Sequence, residues 1–218
     1  MAIIPGSHST TQSSTIAIPG TYAVGNLIVV VAARANLTAP TVPAGWVTLN
    51  TSGISGISLV VACKYVLSTS EPDPNFASAQ ILNCRVYGAS KGIIVASLGT
   101  ISTGGVSNTI NYTAIANYRP GVLANWYVGA AAQTNTANSL ETPPTGMTNV
   151  NFNAVSGLKT ALHDTNADQL SNWSATNVGP LANSAAYRSA TIQLFEIAYT
   201  FPAGGGGSYS PIDNILIG

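Results

Sequence analysis

Seven apolar residues in succession, Leu27 to Ala33, begin at the turn signal Gly25-Asn26 and end at Arg34. A short, β-branched, continuous run between turn signals reads as a strand buried on both faces. It falls far short of the roughly 20 apolar residues that a membrane helix needs. Pro40, Pro43 and Gly45 then break the chain, and Trp46 follows with a large apolar ring. The unit is a buried strand, a proline-rich crossover and an aromatic plug.

The side chains around this unit are unusually free of charge. Charged residues are 6% of the 218, against about 25% in an ordinary soluble domain. Ser, Thr, Asn and Gln supply the polarity instead, which argues against long exposed helices and for an all-β chain. Seven basic and seven acidic residues balance to zero and are scattered, so no basic stripe awaits a nucleic-acid backbone. A neutral surface repels itself weakly and favours association. Met1 to Pro5 has neither the basic start nor the apolar stretch of a secretory signal. The expectation is synthesis in a reducing cytoplasm, with Cys63 and Cys84 as free thiols buried in strands; a cross-strand disulfide is the alternative.

Further strands are expected over Ile57 to Val66, Ala79 to Tyr87 and Ser107 to Ala116, separated by turns and by Glu71-Pro72-Asp73-Pro74. Then the layout returns. Pro120-Gly121 introduces the run Val122 to Ala130, and Pro143-Pro144-Thr145-Gly146-Met147 matches Val42-Pro43-Ala44-Gly45-Trp46 at an offset of 101. Leu158 to Asp164 parallels Leu59 to Tyr65, Asn172-Trp173 stands for Asn75-Phe76, and Thr191 to Ile197 resembles Gln80 to Val86. Two quasi-repeated halves, about 15–103 and 107–201, are expected in one antiparallel β-sandwich over residues 1–203, with two small tandem domains as the alternative. A jelly-roll-like arrangement, in which two Greek keys feed both sheets, accommodates them. Residues 204–218 are a glycine hinge followed by an apolar segment, which either folds back as a last strand or docks on a neighbour.

Chemistry is harder to find. His8 and His163 are the only histidines, and no G-x-S-x-G elbow holds a serine for either. The stretch Asp164-Thr165-Asn166-Ala167-Asp168 begins like a calcium loop, but Gln169 replaces the required glycine and Ala175 the bidentate glutamate. No zinc spacing is present, so no metal or cofactor is expected. Asp73, Glu141, Asp164 and Asp168 are placed in loops, and nothing in their spacing recommends a glycosidase pair. Trp46 and Trp126 occupy expected core positions, whereas Trp173, in a polar loop, is the candidate for stacking on a sugar.

The segments GNLIVVVAARANLTAPTVPAGWVTLN, SLVVACKYVLSTSEPDPNF and ILNCRVYGAS resemble a module common in bacteriophage structural proteins. The resemblance covers the first half well and the second loosely, through PPTGM and TIQLFEI. Asn26 stands where that module often has an acid, and Met147 where a second aromatic would fall. The resemblance implies a jelly-roll-like sandwich in a virion and carries over no catalytic residue. The expectation is a non-enzymatic capsid decoration (cement) protein, made in the bacterial host cytoplasm. It would be a homotrimer bound to the major capsid protein at subunit junctions, with no nucleic-acid or membrane partner. Two apolar arms would make the contact, through Ile3 and Ile4 at one end and Tyr209, Ile212, Ile215, Leu216 and Ile217 at the other. The alternatives are a tail-fibre module that recognises cell-surface glycans and a polysaccharide-cleaving enzyme using a loop acid such as Asp164.

Overall fold

A computed structural model describes residues 3–97 and 100–198. The first sheet uses β1 (Ile3–Thr11), β2 (Leu27–Arg34), β3 (Val47–Ile54), β4 (Ile57–Tyr65) and β5 (Ile81–Ala89). Next come β6 (Gly92–Ala96), β7 (Ile101–Ser107), β8 (Ile110–Tyr112), β9 (Ala124–Gln133), β10 (Thr148–Val155), β11 (Leu158–Asp164), β12 (Thr176–Val178) and β13 (Ala185–Ala198). The described residues hold no helix, and every strand pairing is antiparallel.

The strand orders are β1-β5-β2-β4-β3 in one sheet and β10-β11-β9-β13-β6 in the other. The long β13 pairs with β7 along its first part and with β6 along its last. The two sheets pack face to face. Leu27, Val29, Val31, Leu59 and Val61 of the first share one apolar cluster with Trp126, Val128, Leu162, Ile192 and Leu194 of the second. Alternation along each strand sends one set of side chains into this interface and the next set outward.

The outward set of β2 is buried as well, so the run Leu27 to Ala33 lies between two apolar layers. Ile28, Val30 and Ala32 meet Ile16, Val66 and Phe76 from the loops, with Trp46 closing the edge of Phe76 at 5.4 Å. On the second sheet β8, β12 and loops do the covering, through Tyr112, Leu140 and Val178 over Ala131 and Ala161. Beside them Ile115, Met147 and Trp173 cover Tyr127. Gly129 makes room for that layer, because a Cβ there would lie 3.0 Å from Met147 Sδ and 3.1 Å from Tyr112.

Matching local geometry recurs in the two sheets. Trp46 N–H donates to Pro43 O at 3.3 Å and Met147 N–H to Pro144 O at 3.0 Å. Both turns need a left-handed residue, supplied by Gly45 (φ 79°) and Gly146 (φ 86°). The strand after each turn carries a bulge, between Thr48 and Asn50 in β3 and between Asn149 and Asn151 in β10. Isolated bridges join Thr15 to Asn75 and Ile115 to Trp173.

Three expectations are corrected here. A jelly roll would thread each half through both sheets, yet β1 to β5 fall in one sheet and β6, β7, β9, β10, β11 and β13 in the other, with β8 and β12 a separate two-stranded pair. The N-terminal segment is no arm: it is edge strand β1, with Ile3 fully buried in the central cluster opposite Ala89. The strand expected over Ser107 to Ala116 shrinks to Ile110–Tyr112, which pairs only with β12.

Candidate functional site

The densest polar constellation lies between the sheets. β5 turns Asn83, Arg85 and Tyr87 toward β11, which returns Thr160 and Asp164. Arg85 Nη1 donates to Asp164 Oδ2 at 2.5 Å, and Tyr87 Oη donates to the same oxygen at 3.0 Å. Asn83 Nδ2 donates to Thr160 Oγ1 at 2.6 Å. All five side chains are buried. Burial raises the Asp164 carboxyl above its ordinary range, against the opposing pull of Arg85 and Tyr87. Burial also lifts the Tyr87 hydroxyl far above its usual value, and Asp164 adds to that. The cluster ties β5 of one sheet to β11 of the other across their interface.

His163 points the other way, beneath the ring of Tyr112 at 6.3 Å. It sits in a row with Gly129 and Thr191, and burial drives its pKa from 6.5 down to about 4. It is a neutral imidazole inside an apolar layer. His8 is exposed on β1, on the opposite sheet. Among the described residues neither His163 nitrogen has a side-chain partner.

Each carboxylate of the described residues has at least one partner, though Asp164 Oδ1 and Glu196 Oε2 have none. Among the described residues, Glu71 bridges Lys64 at 2.6 Å and accepts the Leu67 and Ser68 amides. Asp73 accepts the Ile18 amide, Glu141 meets Lys159 at 3.3 Å, and Glu196 accepts the Lys91 amide. Asp168 accepts Trp126 Nε1–H at 2.9 Å. Asp164 and Asp168 of the calcium-like stretch thus answer to Arg85 and to Trp126 in different directions. Among the described residues no three His, Cys, Asp or Glu side chains gather as a metal site would require.

Trp173 is not the surface platform expected of it. Only 7% of the residue is exposed, because it caps the outer face of the second sheet, 5.8 Å from the Tyr127 ring. Its loop is polar, but Ile115 and Trp173 exchange backbone hydrogen bonds of 3.0 Å and pull the indole inward. Trp126 is buried and Trp46 half-buried. Of the residues expected to contact a partner, Ile3 is buried and Ile4 exposed, while Tyr209, Ile212, Ile215, Leu216 and Ile217 lie outside the described residues.

The cysteines lie on β4 and β5 with β2 between them, opposite Val29 and Val30 respectively. Cys63 faces the central cluster and Cys84 the outer one, so side chains on opposite faces of the sheet cannot bridge. Both are free.

One open depression of about 290 Å³ lies beside Pro180, lined by Ser139, Thr142 and Leu181. No charged side chain lines it. Sequence reading missed Arg85 and its pairing with Asp164, which it placed in a loop but which ends β11 and is buried between the sheets. The available signal was a lone arginine inside the apolar strand ILNCRVY, since a buried charge requires a countercharge elsewhere. Comparison with protein-family models, curated proteins and solved structures returns no match.

Proposed function

We propose that this chain is a non-enzymatic phage virion structural protein, a capsid decoration (cement) protein that binds as a homotrimer at capsid subunit junctions. The observation that carries the reading is the engagement of every described carboxylate in holding a strand or loop. What is left for contact is mostly hydroxyl, amide and aliphatic, with a few exposed charges such as Asp73, Lys91 and Asp168. A weakly charged surface of this kind lies against many like neighbours without strong repulsion. Among the described residues the carboxylates are held by these partners rather than paired across a cleft, as glycoside cleavage demands. With Ile3 committed to β1, the shell contact falls to exposed loops and sheet edges.

We further infer that the two halves are a quasi-repeat, each forming one sheet. The support is the shared order of β3-β4-β2-β5 and β10-β11-β9-β13, together with turns, glycines and bulges recurring 101 positions apart.

The test is to add purified chain to expanded, undecorated capsids and count occupancy by cryo-EM. Saturable density at symmetry-related shell sites, three chains to a site, is expected. Empty shells at saturating protein would sink the reading and send the search to the tail, with glycan-array binding as the next assay.

A further inference from the structure

Each sheet turns one arginine into the space between them. Arg85 of β5 meets Asp164 there. Arg188 of β13 faces the same interface, since its alternate neighbours Ala186, Ala190 and Ile192 all lie in the central cluster. Among the described residues no carboxylate pairs with Arg188, and its Nε is buried without a hydrogen-bond partner. Desolvation lowers its pKa, with no carboxylate acting against the shift. A guanidinium in such surroundings is a cation that still lacks its countercharge.

The β7–β13 ladder sets what lies beside it. Arg188 stands opposite Gly104, and Ala186 opposite Val106. Gly104 makes room for the arginine: a Cβ there would lie 2.5 Å from Arg188 Cδ and 2.7 Å from Nη1. The side chain therefore lies across β7, the edge strand at this part of the sheet. Val106, two positions on along the same face of β7 and so about 7 Å away, is 64% exposed. From the first sheet β3 runs beside β7, where Thr100 Oγ1 donates to Leu49 O at 2.7 Å. It turns Asn50 and Ser52 inward, opposite Val61 and Leu59 of the central cluster. Asn50 Oδ1 and Ser52 Oγ are buried and have no partner either.

We propose that Arg188 binds the carboxylate of a small molecule with an apolar body, the carboxylate on the guanidinium over Gly104 and the body along Val106. A hydrogen bond between two ionised groups is about twice as strong as a neutral one. Strand pairing and Gly104 hold the guanidinium in place beforehand, which lowers the cost of ordering it on binding. Phosphate or sulfate would supply the countercharge but leave Val106 uncovered. The inference stands independently of the virion reading.

The test titrates the nitrogen-labelled full chain with sodium acetate and, separately, sodium hexanoate, at constant ionic strength, and follows the arginine Nε–H signals by NMR. The chain has only four arginines, Arg34, Arg85, Arg119 and Arg188. The Arg188 signal is expected to shift saturably, with hexanoate about threefold or more tighter than acetate. Arg85, already paired with Asp164, should not move. An Arg188 signal that only drifts in proportion to added salt, as Arg34 and Arg119 do, would overturn the proposal. Equal affinity for the two acids would overturn the assigned ligand class. As an independent measurement, hexanoate is expected to raise the melting temperature of the native chain and of Val106→Ser, less in the latter, and to leave Arg188→Gln unchanged. Equal stabilisation of Arg188→Gln and the native chain would equally sink it.

Discussion

The sheets are joined along two seams of opposite chemistry. Where β4 faces β13, Leu59, Val61 and Cys63 meet Ala190, Ile192 and Leu194 in one apolar cluster. Where β5 faces β11, Asn83, Arg85 and Tyr87 meet Thr160 and Asp164. The dry seam adheres without selecting, since apolar burial is favourable in any register. The polar seam discriminates, because each buried group must find its own partner. Two copies of the first sheet pressed together would bury Arg85 against no carboxylate. The difference explains how two sheets of shared strand order come to face each other in a single way.

The most damaging test strikes the polar seam. Asp164→Ala leaves the Arg85 guanidinium buried without a countercharge and is expected to cost about 3–5 kcal/mol of unfolding free energy, read by urea denaturation. Replacing both partners, Arg85→Met with Asp164→Leu, is expected to restore that stability or exceed the wild type. Arg85 Nε and Asp164 Oδ1 have no partner even in the native pairing, so the apolar pair has little to lose. A double variant as unstable as the single one would show that the seam adheres as well as discriminates.

The dry seam should respond differently. Leu194→Ala is expected to cost about 3 kcal/mol, through lost transfer energy and the cavity left behind. No second substitution across the seam should recover it except one that refills the volume.

The outer layers differ in a way that pH can read. The first sheet's outer cluster is apolar throughout, whereas the second holds His163. Its pKa falls from 6.5 to about 4 in the folded protein, so between these values the unfolded chain binds a proton that the fold refuses. Stability from this group is complete above pH 6.5 and is lost as pH falls toward 4, by up to about 3 kcal/mol. Asp164, with its carboxyl raised, works in the opposite sense, so the slope belongs to His163 only as the difference from a His163→Gln variant. Identical pH profiles for the two proteins would remove His163 from the account.

Much of this architecture was legible in the sequence. Leu27 to Ala33 announced a strand covered on both faces, and the Pro-x-Gly turns before Trp46 and Met147 marked where two strands begin. What stayed hidden was long-range. Ile3 looked like a free arm because nothing local shows that Ser7 to Thr11 extends its strand along β5. Trp173 looked exposed because its neighbours in sequence are polar, while its neighbours in space are Tyr127, Met147 and Ile115. Arg85 and Asp164 are 79 residues apart, and no periodicity links them.

Cys63 offers the gentlest probe of the comparison. It faces inward from β4 in the dry seam, and Asp164, 101 positions on, faces inward from β11 in the polar one. Burial pushes the Cys63 thiol up to about 12, and the Cys84 thiol likewise, so neither forms the reactive thiolate at neutral pH. The native protein is therefore expected to ignore a thiol-specific disulfide reagent until it unfolds, and its mass should be that of two free thiols. Cys63→Val should cost less than about 1.5 kcal/mol, as a swap of similar volume between apolar neighbours. Rapid labelling of the folded chain, or a Cys63→Val cost matching that of Leu194→Ala, would mean that the β4–β13 seam is wetter or tighter than its apolar lining implies. The contrast with β5–β11 would then rest on Arg85 and Asp164 alone.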